Sequence, residues 1–295
     1  MDDYKLLYDN QGYVVIPPSV LFPSSDTFQS LLTASLSVTA KTRSGIWPHR
    51  RTVGRQFPPF DATNEDSWGV QHVMHPDLGE DARVFREWYT SDEVCGVASK
   101  LIGCREDELQ LELFNLLINP ERHDFTLRWH RDDVREDATT DEEIEALGVW
   151  HHGVQWNTAL YEDDCLYVVP VSHKLPRTPK QREHSSSPNP PKDPFDMPGA
   201  IKATLQPGET IFYNSNILHL GTYTSATPRL TLHACMGSTR GGSTRARNIL
   251  QHGVRWMEED VRFREGLNGR GKAMLQRTIA MKNATGKDTG YSQVN

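Results

Sequence analysis

Leu127-Arg128-Trp129-His130-Arg131-Asp132-Asp133 is the stretch that decides what this chain is. Read as a strand running into a turn, it projects residues two apart to one face, so His130 and Asp132 point together into whatever the sheet encloses. One imidazole and one carboxylate are then presented side by side. A second imidazole brought in by a later strand would complete three facial ligands, and the remaining positions of an octahedral iron(II) would stay open for a chelating cosubstrate and oxygen. His219 is the candidate. It lies in Ile217-Leu218-His219-Leu220-Gly221, after a Gln206-Pro207-Gly208-Glu209 turn, a strand from Thr210 to Phe212 and a polar Tyr213-Asn214-Ser215-Asn216 link.

Ten residues beyond His219, Arg229 begins another β run within Pro228-Arg229-Leu230-Thr231. Antiparallel pairing would place the Arg229 guanidinium in the same interior, a few residues deeper, and a cation buried there needs an anion. A dicarboxylate chelating iron at one end would offer its far carboxylate to Arg229, with the Thr231 hydroxyl on the same face as a second donor. Each residue alone has a plainer reading. A His-x-Asp arises by chance in a chain with twelve histidines, His219 alone would be a core histidine, and Arg229 alone would be half of an ion pair. In this order, on predicted strands, they converge on one metal and one cosubstrate.

Outward from this segment, residues from about 110 read as short β runs separated by turns: Leu111 to Ile118, Phe125 to Trp129, Val149 to Leu160, Leu166 to Val171, Ala200 to Leu205, Thr210 to Phe212 and Leu230 to Ala234. Such spacing predicts a sandwich or barrel. Before them, a short helix leads through Asp9-Asn10-Gln11-Gly12 into an edge strand at Tyr13-Val14-Val15-Ile16. Residues 24 to 40 and 81 to 102 carry apolar positions at helical spacing, with Ser91-Asp92 as an N-cap. The tail from Trp256 to Met281 is helical with an interruption at Gly266 to Gly271, and is expected to pack on the barrel. His184-Ser185-Ser186-Ser187-Pro188-Asn189-Pro190-Pro191 reads as a surface loop or lid. The expectation is one domain over 1–295, with a core at about 110–240 and flanking helices at about 24–102 and 256–281.

Trp129-His130-Arg131-Asp132, the N-terminal Asn10-Gln11-Gly12-Tyr13-Val14-Val15-Ile16-Pro17, and Arg229 together resemble the phytanoyl-CoA dioxygenase family of iron(II)/2-oxoglutarate oxygenases. Between the ligands, Trp156-Asn157-Thr158-Ala159-Leu160 is similar to the family's central strand. Cys165-Leu166-Tyr167-Val168-Val169-Pro170-Val171-Ser172-His173-Lys174 is similar to its PGSH-like element, with Val171 where glycine is usual. The resemblance implies a mainly β fold with flanking helices, built on a double-stranded β-helix of jelly-roll, cupin-like form. It implies His130, Asp132 and His219 as iron ligands, Arg229 as the anchor of 2-oxoglutarate, and Asn157 as a residue lining the cosubstrate pocket. Ser172-His173 is expected to form a structural turn. The implied reaction consumes oxygen and 2-oxoglutarate, with ascorbate as a supporting reductant, and hydroxylates a small-molecule metabolite. Retention of Asp132 disfavours halogenation, which needs that coordination position vacant.

A net charge of −7 offers no general attraction to nucleic acid or anionic membranes. No apolar run is long enough to span a bilayer, and MDDYKLLYDN places acids where a secretory signal carries basic residues, so a cytoplasmic location is expected. Cys95, Cys104, Cys165 and Cys235 lack CxxC spacing and read as reduced, packed thiols. Trp129, Arg131, Trp150, His151, His152 and Trp156 are candidates to edge the pocket, with core tryptophans on a strand as the alternative. Arg240, Arg245 and Arg247 form a basic cluster read as solvated. Three rival readings stand beside the oxygenase: a cupin-type metal-dependent isomerase or hydrolase without cosubstrate, a protein hydroxylase, and a silent binding module. Oligomeric state is not encoded in any pattern here.

Overall fold

The computed structural model describes residues 1–55, 60–149, 152–242, 245 and 254–285. Helix α1 (Asp2–Gln11) ends where Gly12 takes φ 83°, and β1 (Tyr13–Ile16) follows. The short α2 (Pro18–Leu21) leads to α3 (Ser25–Arg43), whose Ser24 hydroxyl caps the Thr27 N–H. After β2 (Arg50–Thr52) and β3 (Ser67–Val70) come α4 (Glu80–Tyr89) and α5 (Asp92–Ile102), separated at Ser91, which caps Val94 as its sequence predicts. The remaining strands are β4 (Leu109–Ile118), β5 (Phe125–Thr126), β6 (Gly153–Ala159), β7 (Asp163–Val169), β8 (Ile201–Leu205), β9 (Thr210–Tyr213), β10 (Leu218–Tyr223) and β11 (Leu230–Ser238). Helices α6 (Thr140–Gly148) and α7 (Pro179–Ser185) interrupt them.

The strands form a seven-stranded sheet, ordered β1-β9-β6-β11-β4-β3-β2, and a four-stranded sheet, ordered β5-β10-β7-β8. The strand pairings among the described residues are antiparallel, the arrangement of a double-stranded β-helix. Period-2 alternation divides the large sheet's faces. Phe114, Leu116, Val154, Trp156, Phe212, Leu232 and Met236 look outward into one core with α1 to α5 and the C-terminal helices. On the inner face, Ala159, Ile211 and Tyr213 meet Leu166 and Val168 of the small sheet. Three rows of cross-strand partners line this interior: Leu117, Thr231 and Ala159; Asn115, His233, Asn157 and Ile211; Cys235, Gln155 and Tyr213.

Several expectations are corrected. Thr140–Gly148 is helical although no element is expected there, because Thr139 and Glu142 form a reciprocal capping box. The predicted strand from Val149 begins instead at Gly153, after residues 150 and 151, which lie outside the described set. His184 and Ser185 belong to α7 rather than to an irregular loop, since Thr178 and Gln181 form a second capping box with Pro179 at the first helical position. The C-terminal region is helical over Trp256–Glu259, Val261–Glu265 and Gly269–Thr285, and packs on β4 through a hydrogen bond from Thr278 Oγ1 to the Leu111 carbonyl at 2.7 Å. His219 and Arg229 do not lie on an antiparallel pair. β10 and β11 belong to different sheets and face each other across the interior.

Val171 adopts φ 67°, in the left-handed region that β-branched residues avoid, which gives a physical reason for the glycine usual at this place. The turn is held by Ser172 Oγ donating to the Val169 carbonyl at 2.6 Å and by Val171 N–H donating to Gln11 at 2.8 Å. Val171→Gly is expected to raise stability by about 1 kcal/mol. Urea unfolding that shows no gain would mean the turn is unstrained.

Candidate metal centre

The His-x-Asp segment reaches its position by main-chain pairing. β5 pairs with Thr222 and Tyr223, the register slips by one residue, and His130 then exchanges both backbone hydrogen bonds with His219, each at 3.1 Å. Asp132 N–H donates to the Ser215 carbonyl at 2.9 Å, so the next turn is held as well. On the other side of β10, the Ser172 hydroxyl accepts from Leu218 N–H at 2.8 Å and fixes the chain one residue before His219.

These pairings bring the two imidazole centroids to 4.3 Å. His130 Nε2 lies 3.7 Å and His219 Nε2 3.9 Å from Asp132 Oδ1, and one ligand atom from each of the three residues lies within 4.8 Å of the others. Both rings donate through Nδ1 to the carbonyl two residues back, His130 to Arg128 at 2.8 Å and His219 to Ile217 at 2.9 Å. A carbonyl can only accept, so the neutral tautomer carries its proton on Nδ1 and turns the Nε2 lone pair inward. Asp132 Oδ2 accepts from Gln155 Nε2 at 2.5 Å, which leaves Oδ1 facing the imidazoles.

Burial, helped by the adjacent His219 ring and opposed by Asp132, holds the His130 pKa down to about 4. Burial works to raise the Asp132 carboxyl, but the two imidazoles and the Gln155 amide outweigh it and hold it below the usual carboxylate range. Near pH 7 the cluster therefore presents an unprotonated His130 nitrogen and a carboxylate oxygen, which suits a divalent cation better than a proton. Tyr213 closes one side, edge-on to His219 at 5.4 Å.

Arg229 lies immediately before β11, its guanidinium 4.7 Å above the Tyr223 ring. Its Nε donates to Asp163 Oδ2 at 3.0 Å, and the Thr231 hydroxyl donates to that same oxygen. Arg229 is therefore half of an ion pair, yet its Nη1 is buried and without a hydrogen-bond partner among the described residues. Asn157 sits in the middle row of the inner face, 2.8 Å from His233 Nδ1 through Oδ1. The structure thus gathers His130, Asp132 and His219 together, with Asn157, Thr231 and Arg229 in order along the interior beneath them.

Gln155, Asp163 and His233 are site residues that sequence reasoning missed. Gln155 is two positions from Asn157 and His233 two from Thr231, so strand alternation alone carries their signal. Asp163 lies in Glu162-Asp163-Asp164, which reads as a solvated turn. Of the residues expected at the pocket edge, Trp129 and Trp156 are core tryptophans, 1% and 0% exposed. Arg131 is buried and faces away from the cluster, His152 is half-buried, and Trp150 and His151 lie outside the described residues. The basic cluster is not simply solvated: Arg240 pairs with Glu108, Arg245 is buried against Glu112, and Arg247 is outside the described set.

Comparison with known proteins agrees with this geometry. The family model described as phytanoyl-CoA dioxygenase (PhyH) matches residues 8–230. Similar solved structures include AviO1 from Streptomyces viridochromogenes Tue57, with 13% identity and TM-score 0.55 over 80% of this chain and 94% of that one. EctD from S. alaskensis, crystallised with 2-oxoglutarate and 5-hydroxyectoine, has 18% identity and TM-score 0.57 over 81% and 77%. The non-heme alpha ketoglutarate dependent epimerase SnoN from nogalamycin biosynthesis has 20% identity and TM-score 0.51 over 81% and 80%. No curated protein matches the sequence. At these identities the solved structures speak for the fold, and the family model speaks for the chemistry: the chain belongs to the phytanoyl-CoA dioxygenase (PhyH) family of non-haem iron, 2-oxoglutarate-dependent oxygenases.

Proposed function

We propose that the chain hydroxylates a small-molecule metabolite, holding iron(II) by His130 Nε2, Asp132 Oδ1 and His219 Nε2 and binding the far carboxylate of 2-oxoglutarate at Arg229. The observation that carries this reading is the pairing of a convergent two-imidazole, one-carboxylate cluster with a buried guanidinium nitrogen that has no partner among the described residues, in the same interior. When bound, iron and 2-oxoglutarate supply oxygen activation coupled to decarboxylation of the keto acid to succinate. The protein's own residues do the rest. Gln155 holds Asp132 so that one oxygen is free to ligate, and the Arg128 and Ile217 carbonyls fix both imidazole tautomers. Asp163 balances the charge of Arg229 and engages its Nε, which leaves the terminal guanidinium nitrogens as donors for a carboxylate. Asn157 and His233, one row closer to the metal, form the wall that the cosubstrate chain would run along.

A small-molecule substrate agrees with EctD, crystallised with 5-hydroxyectoine, and with SnoN, crystallised with nogalamycin RO. A cupin-type isomerase or hydrolase needs no cosubstrate and gives Arg229 no task. The direct test is oxygen-dependent release of succinate from 2-oxoglutarate with ferrous iron and ascorbate. Arg229→Met combined with Asp163→Asn, which leaves no unpaired buried charge, is expected to raise the KM for 2-oxoglutarate by roughly tenfold to a hundredfold. An unchanged KM would remove Arg229 from the cosubstrate site. Gln155→Leu is expected to weaken ferrous binding by roughly tenfold or more, read by anaerobic titration. Wild-type affinity in that variant would show that Asp132 is positioned without its amide partner.

A further inference from the structure

Arg131 lies between the two ligands of the His-x-Asp segment, yet its side chain faces the other way. Its Nη2 donates to the Leu175 carbonyl at 2.9 Å and lies 3.4 Å from Glu143 Oε1. Glu143, on α6, is fully buried, and its carboxylate also accepts from Arg177 Nε at 2.9 Å, Arg177 N–H at 3.2 Å and Arg182 Nη2 at 2.8 Å. The same two arginines hold the chain that leaves Asp132: Arg177 Nη2 donates to the Glu136 carbonyl and Arg182 Nη1 to the Ala138 carbonyl. One carboxylate thus binds together α6, α7, the Leu175 to Arg177 segment and the peptide linking the two ligands.

Three guanidinium groups around one carboxylate repel one another, and an ionic cluster this deep is no more stabilising than well-packed apolar side chains would be. Stability alone therefore gives it little reason to stand there. Its place does: the cluster grips the His-x-Asp strand from the face opposite the ligands, one residue from each. We propose that Glu143 is a positioning residue that, through Arg131, fixes the main-chain pose of His130 and Asp132, and so sets the spacing of the ferrous ligands without touching the ion. This rests on the ferrous-site reading given above.

The test is anaerobic ferrous titration of the full chain, with the visible charge-transfer band of the iron–2-oxoglutarate complex as a second readout. Wild type, Glu143→Gln, Arg131→Met and the double variant are compared. Each single variant is expected to bind iron about tenfold more weakly and to shift the band, while the double variant is no weaker than either single one. Thr278→Val, which removes a buried hydrogen bond of the C-terminal helix to β4, is expected to lower Tm and leave ferrous affinity unchanged. If Glu143→Gln does not fold, Arg131→Met and Arg131→Lys carry the test, with Lys recovering part of the affinity that Met loses. Wild-type ferrous affinity in the folded single variants, or losses that add in the double variant, would overturn the proposal alone. Failure of the wild type to bind iron would overturn the ferrous site first, and this proposal with it.

Discussion

The centre depends on one backbone contact, the reciprocal hydrogen bonds between His130 and His219. A strand fixes side-chain direction by parity, so a slip of one residue would turn an imidazole out of the interior. The register does slip once between Thr126 and His130, and the bridge comes after that slip, which sets both imidazoles toward Asp132. Ser172 on one flank and Ser215 on the other keep the pairing from moving, through Leu218 N–H and Asp132 N–H. Pre-organisation here is a main-chain property before it is a side-chain one, and the Nδ1–carbonyl contacts of both rings extend it to the tautomers.

Charge is handled differently at the two ends of the interior. In the two-imidazole, one-carboxylate cluster, Asp132 gives one oxygen to Gln155 and turns the other toward the imidazoles. At the far end Arg229 is matched by Asp163. Engaging every guanidinium nitrogen would leave no donor for the proposed carboxylate, and no counter-charge would leave an unpaired buried cation of high cost. Nε paired with Asp163 and Nη1 without a hydrogen-bond partner among the described residues satisfy both demands.

The convergence of His130, Asp132 and His219 was legible because its logic is local or ordered: two residues two apart, then a histidine on a later strand. A sandwich or barrel was legible from the spacing of β runs and turns, and the double-stranded β-helix form from the family resemblance. What was not legible depends on partners far away in sequence. Asp163 acquires meaning only when β7 is folded beneath Arg229, sixty-six residues later, and Gln155 only when Asp132 arrives across the interior. Helices α6 and α7 were hidden for another reason. Both are short, start on capping boxes and lie in segments rich in charge or in Ser and Pro, where composition speaks for loops and only the caps speak for helix.

Strand alternation also divides the labour within the His-x-Asp segment. His130 and Asp132 look inward to the cluster, while Arg131, between them, looks outward to Glu143. A basic side chain in that middle position reads from sequence as a pocket group, and in the structure it is tied to Glu143 and the Leu175 carbonyl instead. The strand of the ligands is short, two residues of regular pairing and one isolated bridge, and has little ladder of its own to hold it. Hydrogen bonds from the opposite face supply what the missing ladder does not, which is why the electrostatic cluster around Glu143 belongs to the account of the metal centre as well as to that of the fold.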